Sequence, residues 1–94
     1  MSSLSSAKTL LSGVVATGAS QPVQSDGGQP AFLQVVGITT ATVALQGSLD
    51  GTTYATIGTA LTADGIITIA NAPNYLRANC TAYTSGTITA KILY

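Results

Sequence analysis

Polar and apolar residues alternate with a period of two along most of the chain. A β-strand with this alternation has one buried face and one solvated face. In residues 40–49 the alternation assigns one face to Ala41, Val43, Leu45, Gly47 and Leu49. In residues 75–83 it assigns the core face to Leu76, Ala78, Cys80 and Ala82, and the outer face to Tyr75, Arg77, Asn79, Thr81 and Tyr83.

Turn residues separate these strands. Asp50-Gly51 follows the 40–49 run and precedes a strand-like run at 52–57, which predicts a tight hairpin of type I′ with positive φ angles. Thr84-Ser85-Gly86 predicts a second hairpin, between strands 75–83 and 87–93. Asp64-Gly65 leads into a further strand at 66–70.

The N-terminal third contains weaker strand signals. Residues 8–17 predict a strand with a bulge or bend at Gly13, residues 22–24 a short edge strand, and residues 30–36 a strand that begins at Pro30. We expect residues 1–7 to be a flexible N-terminal arm and residues 8–94 to be a single domain.

This pattern predicts seven or eight short strands. No segment of the sequence has the start and stop signals of a helix. The strands predict an all-β protein: an antiparallel β-sandwich, jelly-roll-like, with a closed barrel as the alternative.

Charge is scarce. Only 6% of the 94 residues are charged, with three Lys or Arg, three Asp or Glu and no His, against about 25% charged residues in an average soluble domain. A nearly uncharged surface favours a protein that packs against copies of itself or a larger assembly. Three cations cannot neutralise a row of phosphates, so we expect neither nucleic acid nor an anionic membrane as a partner. The N-terminus lacks a signal-peptide pattern, so we expect the protein to be made and assembled in a cytoplasm.

Catalytic and metal-binding patterns are missing as well. Each acidic residue stands directly before a glycine, as turn-forming aspartates do, and these residues are Asp26, Asp50 and Asp64. The chain has no histidine to activate a serine or the single cysteine, Cys80. Lys8 or Lys91 could in principle serve as a base, but no neighbouring residue in the sequence indicates that role. We therefore expect no enzyme activity, no cofactor and no metal site, and we expect Cys80 to be a buried small apolar residue.

Four tyrosines are the main aromatic residues. Tyrosine combines an apolar ring with a polar tip, which suits the ends of a sandwich, a protein interface or a carbohydrate platform. The candidate interface residues are Tyr54, Tyr75, Arg77, Tyr83 and Tyr94.

Three segments resemble small bacteriophage structural proteins. They are VALQGSLDGTTYATIG at 43–58, YLRAN at 75–79 and SGTIT at 85–89. The resemblance covers about residues 30–94. Over this range the chain is similar to the small β-sandwich proteins of phage heads and tails. Tyr54 stands where that family frequently has Trp, which weakens any stacking role.

The resemblance implies a component of the phage particle, assembled in the host cytoplasm. The leading interpretation is a capsid decoration (cement) protein that stabilises the head by binding between capsomers. Its partners would be the major capsid protein and copies of itself. The alternatives are a tail-, neck- or fibre-associated protein and a host-surface carbohydrate-binding module.

Overall fold

The structure is a computed structural model that describes residues 7–25 and 27–94. This part of the chain contains seven β-strands and no helix. The strands are β1 (Ala7–Val14), β2 (Gly18–Ala19), β3 (Val23–Gln24), β4 (Ala31–Ser48), β5 (Ala55–Thr56), β6 (Gly65–Ile69) and β7 (Tyr75–Leu93). The predicted all-β antiparallel fold class is confirmed, but the strands are not uniformly short: β4 and β7 have 18 and 19 residues.

β4 and β7 are the central pair of one open antiparallel sheet. Their ladder runs from the pair Phe32–Leu93 to the pair Ser48–Tyr75. At the Leu93 end, β1 adds to β7 and β6 adds to β4. At the Tyr75 end, β2 and β3 add to β7, and β5 adds to β4. The central pair is therefore flanked by different strands at its two ends. We call the two ends with their flanking strands the half-sheets: β1, β7, β4 and β6 form one, and β2, β3, β7, β4 and β5 form the other.

Gly37 and Gly86 mark the bend between the two half-sheets. The β4–β7 register shifts repeatedly here, and both glycines have positive φ angles, 87° and 126°. A Cβ on Gly37 would overlap the carbonyl oxygen of Thr87, and a Cβ on Gly86 would lie 2.5 Å from the oxygen of Gly37. Only glycine allows both this conformation and this approach of the two backbones.

Buried side chains from both half-sheets form a single hydrophobic cluster, so the two half-sheets share one core in a β-sandwich-like fold. The cluster consists of Leu11, Ala31, Leu33, Val35, Ala41, Val43, Leu45, Ala72, Leu76, Ala78, Cys80, Ile88, Ala90 and Ile92. Alternate positions of β4 and β7 supply most of it, as the period-two pattern predicts.

The predicted hairpin at Thr84-Ser85-Gly86 is wrong. β7 runs through these residues without turning back, and Gly86 bends the strand instead. These residues therefore lie in the middle of β7, and the parts of β7 before and after them belong to different half-sheets. Short, glycine-containing connections are also typical of hairpins, which is why the pattern was ambiguous.

The predicted face of Tyr83 is wrong for a related reason. Thr42 pairs with Ala82 whereas Val43 pairs with Cys80, so β7 has one extra residue, Thr81, at a β-bulge. A bulge of one residue reverses the faces of the side chains beyond it. Tyr83 therefore packs against the core cluster, and Ala82 is exposed.

The structure also differs from the sequence-based expectations at the end of β4 and at the start of β1. Leu49 is 77% exposed rather than core-facing, because β4 ends at Ser48. Of the predicted arm, residues 1–6 lie outside the described residues, and Ala7 is the first residue of β1, where it pairs with Leu93.

Candidate functional site

The loop from 49 to 54 joins β4 to β5 and is built around the carboxylate of Asp50. Asp50 Oδ1 accepts hydrogen bonds from the backbone N–H of Thr52 at 2.8 Å and of Thr53 at 3.0 Å, and from Ser48 Oγ at 2.8 Å. Ser48 Oγ in turn accepts the N–H of Gly51 at 2.9 Å. Hydrogen bonds to the charged form, first from Thr53 and then from Thr52 and Ser48, lower the pKa of Asp50 to about 2.

This loop is not the predicted tight hairpin. β5 pairs with β4 through Gly47–Ala55 and Gln46–Thr56, so the connection is longer than two residues. Gly51 has the expected positive φ of 78°, whereas no residue other than glycine has a positive φ in the described ranges. Type I′ geometry at Asp50 is therefore wrong, and Asp50 organises the turn through its side chain instead.

The loop places Tyr54 beneath Arg77 on the outer face of the half-sheet formed by β2, β3, β7, β4 and β5. The guanidinium carbon of Arg77 lies 4.0 Å from the centroid of the Tyr54 ring, a cation–π contact. The hydroxyl of Tyr54 is buried and has no hydrogen-bond partner among residues 7–25 and 27–94. Because that hydroxyl is covered, the contribution of Tyr54 is to support Arg77 with its ring.

Gln46 fixes Arg77 from the side. The two residues are register partners on β4 and β7, and Arg77 Nε donates to Gln46 Oε1 at 2.9 Å. Asn79 Nδ2 donates to the same oxygen at 3.3 Å. Stacking and hydrogen bonding together orient the guanidinium, and its terminal nitrogens make no hydrogen bond to the described part of the chain.

Tyr75 completes this surface. It pairs with Ser48 on β4 and with Gln24 on β3, and its side chain points to the same face as Arg77. Its ring lies against the loop, since a Cβ on Gly51 would be 3.3 Å from it. We refer to Gln46, Tyr54, Tyr75, Arg77 and Asn79 as the Arg77 patch. A stacked guanidinium whose terminal nitrogens make no hydrogen bond to residues 7–25 and 27–94 is suited to bind a carboxylate or a backbone carbonyl of another molecule.

Tyr83 and Tyr94 do not belong to the Arg77 patch. The hydroxyl of Tyr83 donates to the carbonyl oxygen of Gly86 at 2.6 Å, at the bend. Tyr94 packs against the core cluster, and the ammonium of Lys8 lies 5.3 Å from its ring centroid. Of the five candidate residues, the structure thus brings together Tyr54, Tyr75 and Arg77 and separates the other two.

Gln46 and Asn79 were missed as site residues in the sequence. Both residues fall on the polar face of a predicted strand. Asn79 is two positions from Arg77 along β7, and Gln46 lies directly opposite Arg77 on β4. What the sequence lacks is the register between β4 and β7, which alone shows that Gln46 faces Arg77.

Asp64 and Cys80 each have a local structural role. Asp64 Oδ1 accepts the N–H of Ile38 at 2.8 Å, where the β4–β7 register shifts on both sides of Ile38. Asp26 lies outside the described residues. Cys80 is 1% exposed and faces the core as predicted, and burial raises the pKa of its thiol.

A shallow groove of about 440 Å³ borders the same loop, between Leu49, Ile57 and Pro73. Within residues 7–25 and 27–94, no group of three or more His, Cys, Asp or Glu is placed to hold a metal ion. The same residues include no helix that is long and apolar enough to cross a membrane. No protein-family model, curated protein or solved structure matches the chain.

Proposed function

We propose that this chain is a structural protein of a bacteriophage particle, a decoration (cement) protein that stabilises the head by binding between capsomers. The observation that carries the proposal is the Arg77 patch: one oriented arginine, supported by an aromatic ring, on a surface that is otherwise almost free of charge. Arginine and tyrosine are, with tryptophan, the residues enriched at the energetic centres of protein interfaces.

The segments that resemble phage structural proteins coincide with this part of the fold. Residues 43–58 form the end of β4, the Asp50 loop and β5, and residues 75–79 form the start of β7. Together they contain every member of the Arg77 patch. Residues 85–89 contain Gly86, one of the two glycines at the bend that joins the two half-sheets. The resemblance therefore concerns the candidate contact surface and the bend that shapes the fold.

A cement protein needs no chemistry, because added buried area between neighbouring subunits is its mechanism. In this interpretation Arg77 binds a carboxylate or a row of carbonyl oxygens on the major capsid protein, and Tyr75 adds apolar contact area beside it. If Arg77 is a hot spot of such an interface, truncating it to alanine should weaken binding by about 2 kcal/mol or more.

A tail-, neck- or fibre-associated protein would use the same contacts at another place in the particle. A carbohydrate-binding module requires open aromatic faces on which a sugar ring can stack. In the Arg77 patch one face of the Tyr54 ring is covered by the guanidinium, and Tyr83 lies apart from it at the bend. These observations favour a protein interface over a sugar platform.

The test compares phage particles made with and without the gene for this chain. We expect deficient particles to lose infectivity faster on heating or osmotic shock, and the purified protein to restore resistance when added back. Arg77→Ala should fail to restore it. The matched control is Lys8→Ala, which removes the other cation that lies over a tyrosine ring, away from the patch. The two variants must show similar unfolding midpoints.

Two outcomes contradict the proposal. Deficient particles that are as robust as wild type but do not adsorb to cells would favour a receptor-binding role. Restoration by Arg77→Ala as complete as by Lys8→Ala would show that the Arg77 patch is not the contact surface.

A further inference from the structure

β6 is an edge strand without the features that usually protect an edge. It pairs with β4 on one side, and no backbone hydrogen bond outside that ladder involves it in the described part of the chain. Its five residues, Gly-Ile-Ile-Thr-Ile, contain no charge and no proline, and its register with β4 is unbroken. A free, regular, apolar edge is a template for pairing with another strand.

The other free edges in the described part of the chain are protected. β1 contains Lys8 and has two register shifts. β2, β3 and β5 have two residues each, and Pro22 directly precedes β3. Short length, bulges, lysine and proline are the usual means of preventing edge-to-edge association. β6 is the exception among them.

The side chains of β6 are less covered than those of the neighbouring strand. On β4, Ala31 and Leu33 are fully buried, whereas their partners on β6, Ile69 and Ile67, are only half-buried. On the outer face Ile66 is 59% exposed. An added strand beside β6 would cover these isoleucines and satisfy the free backbone groups of the edge.

We infer that β6 pairs with β6 of a second copy of this chain, antiparallel and across a two-fold axis at Ile67. This register places Ile67 opposite its counterpart, Ile66 opposite Thr68 and Gly65 opposite Ile69. β-Branched pairs of this kind stabilise antiparallel ladders. The charges that flank β6 along the chain, the two copies of Asp64, lie at opposite ends of the ladder, roughly 20 Å apart at about 3.4 Å per residue, so these two like charges do not oppose the contact.

The pairing deepens the self-association part of the proposed function and does not depend on the location of the protein in a particle. A five-residue edge buries less than the roughly 800 Å² per partner of a standard interface. The dimer is therefore weak in dilute solution. Subunits held side by side on a lattice experience effective concentrations in the mM range, on the order of those between linked modules, where weak pairing is effective.

The experiment uses two double variants on the exposed face of β6. Ile66→Lys with Thr68→Lys places two lysines opposite two lysines in the inferred register, and Ile66→Glu with Thr68→Glu does the same with glutamates. Sedimentation equilibrium should show concentration-dependent dimers of the wild-type chain up to about 1 mM, with association of each double variant at least about tenfold weaker. A 1:1 mixture of the two variants should recover dimers. In the mixed dimer, position 66 of each copy faces position 68 of the other, so both cross-strand pairs consist of one Lys and one Glu.

The control is Val36→Lys, which adds a lysine to the same outer face at a position 44% exposed, but on β4 and away from the edge. It should leave the dimer intact. In the wild-type protein, amide hydrogen exchange of residues 65–69 should slow as the concentration rises.

Three results would overturn the inference: a strict monomer at about 1 mM, a dimer that survives both double variants, or a dimer that Val36→Lys abolishes. The particle assay remains separate from these measurements. A monomer that restores heat resistance refutes β6 pairing alone, and a β6 dimer that leaves particles unaffected refutes the cement function alone.

Discussion

Replacing Gly37 by alanine tests whether the bend really depends on the close approach of β4 to β7. The φ of 87° is strained for an L-residue, at a cost of about 1–2 kcal/mol. The new Cβ would also overlap the carbonyl oxygen of Thr87, a backbone atom that cannot move without its strand. Overpacking of this kind costs about 1–3 kcal/mol. We therefore expect Gly37→Ala to lower the free energy of unfolding by about 2–5 kcal/mol.

That loss is a large fraction of the total for a chain of this length, since about 0.05–0.15 kcal/mol per residue corresponds to roughly 5–14 kcal/mol. Urea denaturation monitored by circular dichroism measures it. With a slope of about 1.5 kcal/mol per M, the midpoint should fall by about 1–3 M.

Gly58→Ala is the matched control for this experiment. Gly58 also has a positive φ, 67°, but a Cβ there would have no heavy atom within 4 Å. The difference between the two variants isolates the steric contribution from the backbone strain. If Gly37→Ala and Gly58→Ala differ by less than about 0.5 kcal/mol, within the usual range for uncrowded surface positions, the two backbones are not in tight contact and the reasoning fails.

Three further predictions follow from single side chains. The pKa of Asp50 is depressed in the folded state, so its stabilising contribution is complete above pH 3.8 and is lost as the pH falls towards 2; the melting temperature of Asp50→Asn, which keeps the acceptor oxygen, should depend less on pH in that window than that of the wild type. Thiol reagents should label Cys80 slowly in the native protein and rapidly in denaturant, whereas rapid native labelling would contradict its burial. Leu45→Ala should cost about 2–5 kcal/mol because Leu45 is fully buried, and Leu49→Ala, at 77% exposure, should change stability by no more than about 0.5 kcal/mol in the same urea titration.

The alternation of residues was sufficient to predict the fold class and most of the core. It placed Leu76, Ala78 and Cys80 inside correctly, because these residues lie on an unbroken stretch of β7. It failed at Tyr83, because the bulge at Thr81 reverses the alternation. A bulge depends on how two strands meet, and a sequence read one strand at a time does not contain that information.

The two hairpin predictions show the limit of local turn chemistry. Ser-Gly residues at 85–86 and Asp-Gly residues at 50–51 both match turn preferences, yet the first is a bend within one strand and the second lies in a longer loop. In each case glycine has the positive φ that the pattern requires. Local chemistry therefore identified where the backbone is unusual, and long-range pairing determined what the chain does there.

The same limit applies to the Arg77 patch. Tyr54, Tyr75 and Arg77 were predicted as candidates by residue type, and the Asp50 loop brings them together. Tyr83 and Tyr94 shared the residue type but not the location. Gln46 and Asn79 have unremarkable residue types, and only the register of the central ladder places them beside Arg77.

The central position of β7 has a consequence for how the chain folds. β1, β2 and β3 all pair with β7 and with no other strand, so none of them has a partner until residues 75–93 have been synthesised. In the central ladder, the pair Ser48–Tyr75 has the smallest separation in sequence and the pair Phe32–Leu93 the largest. The ladder therefore forms most easily from Ser48–Tyr75 towards Phe32–Leu93. Contacts this distant along the chain place folding in the slow range of small domains, about milliseconds to seconds. We expect folding to begin at the Asp50 loop and to finish with the attachment of β1, after the bend has formed.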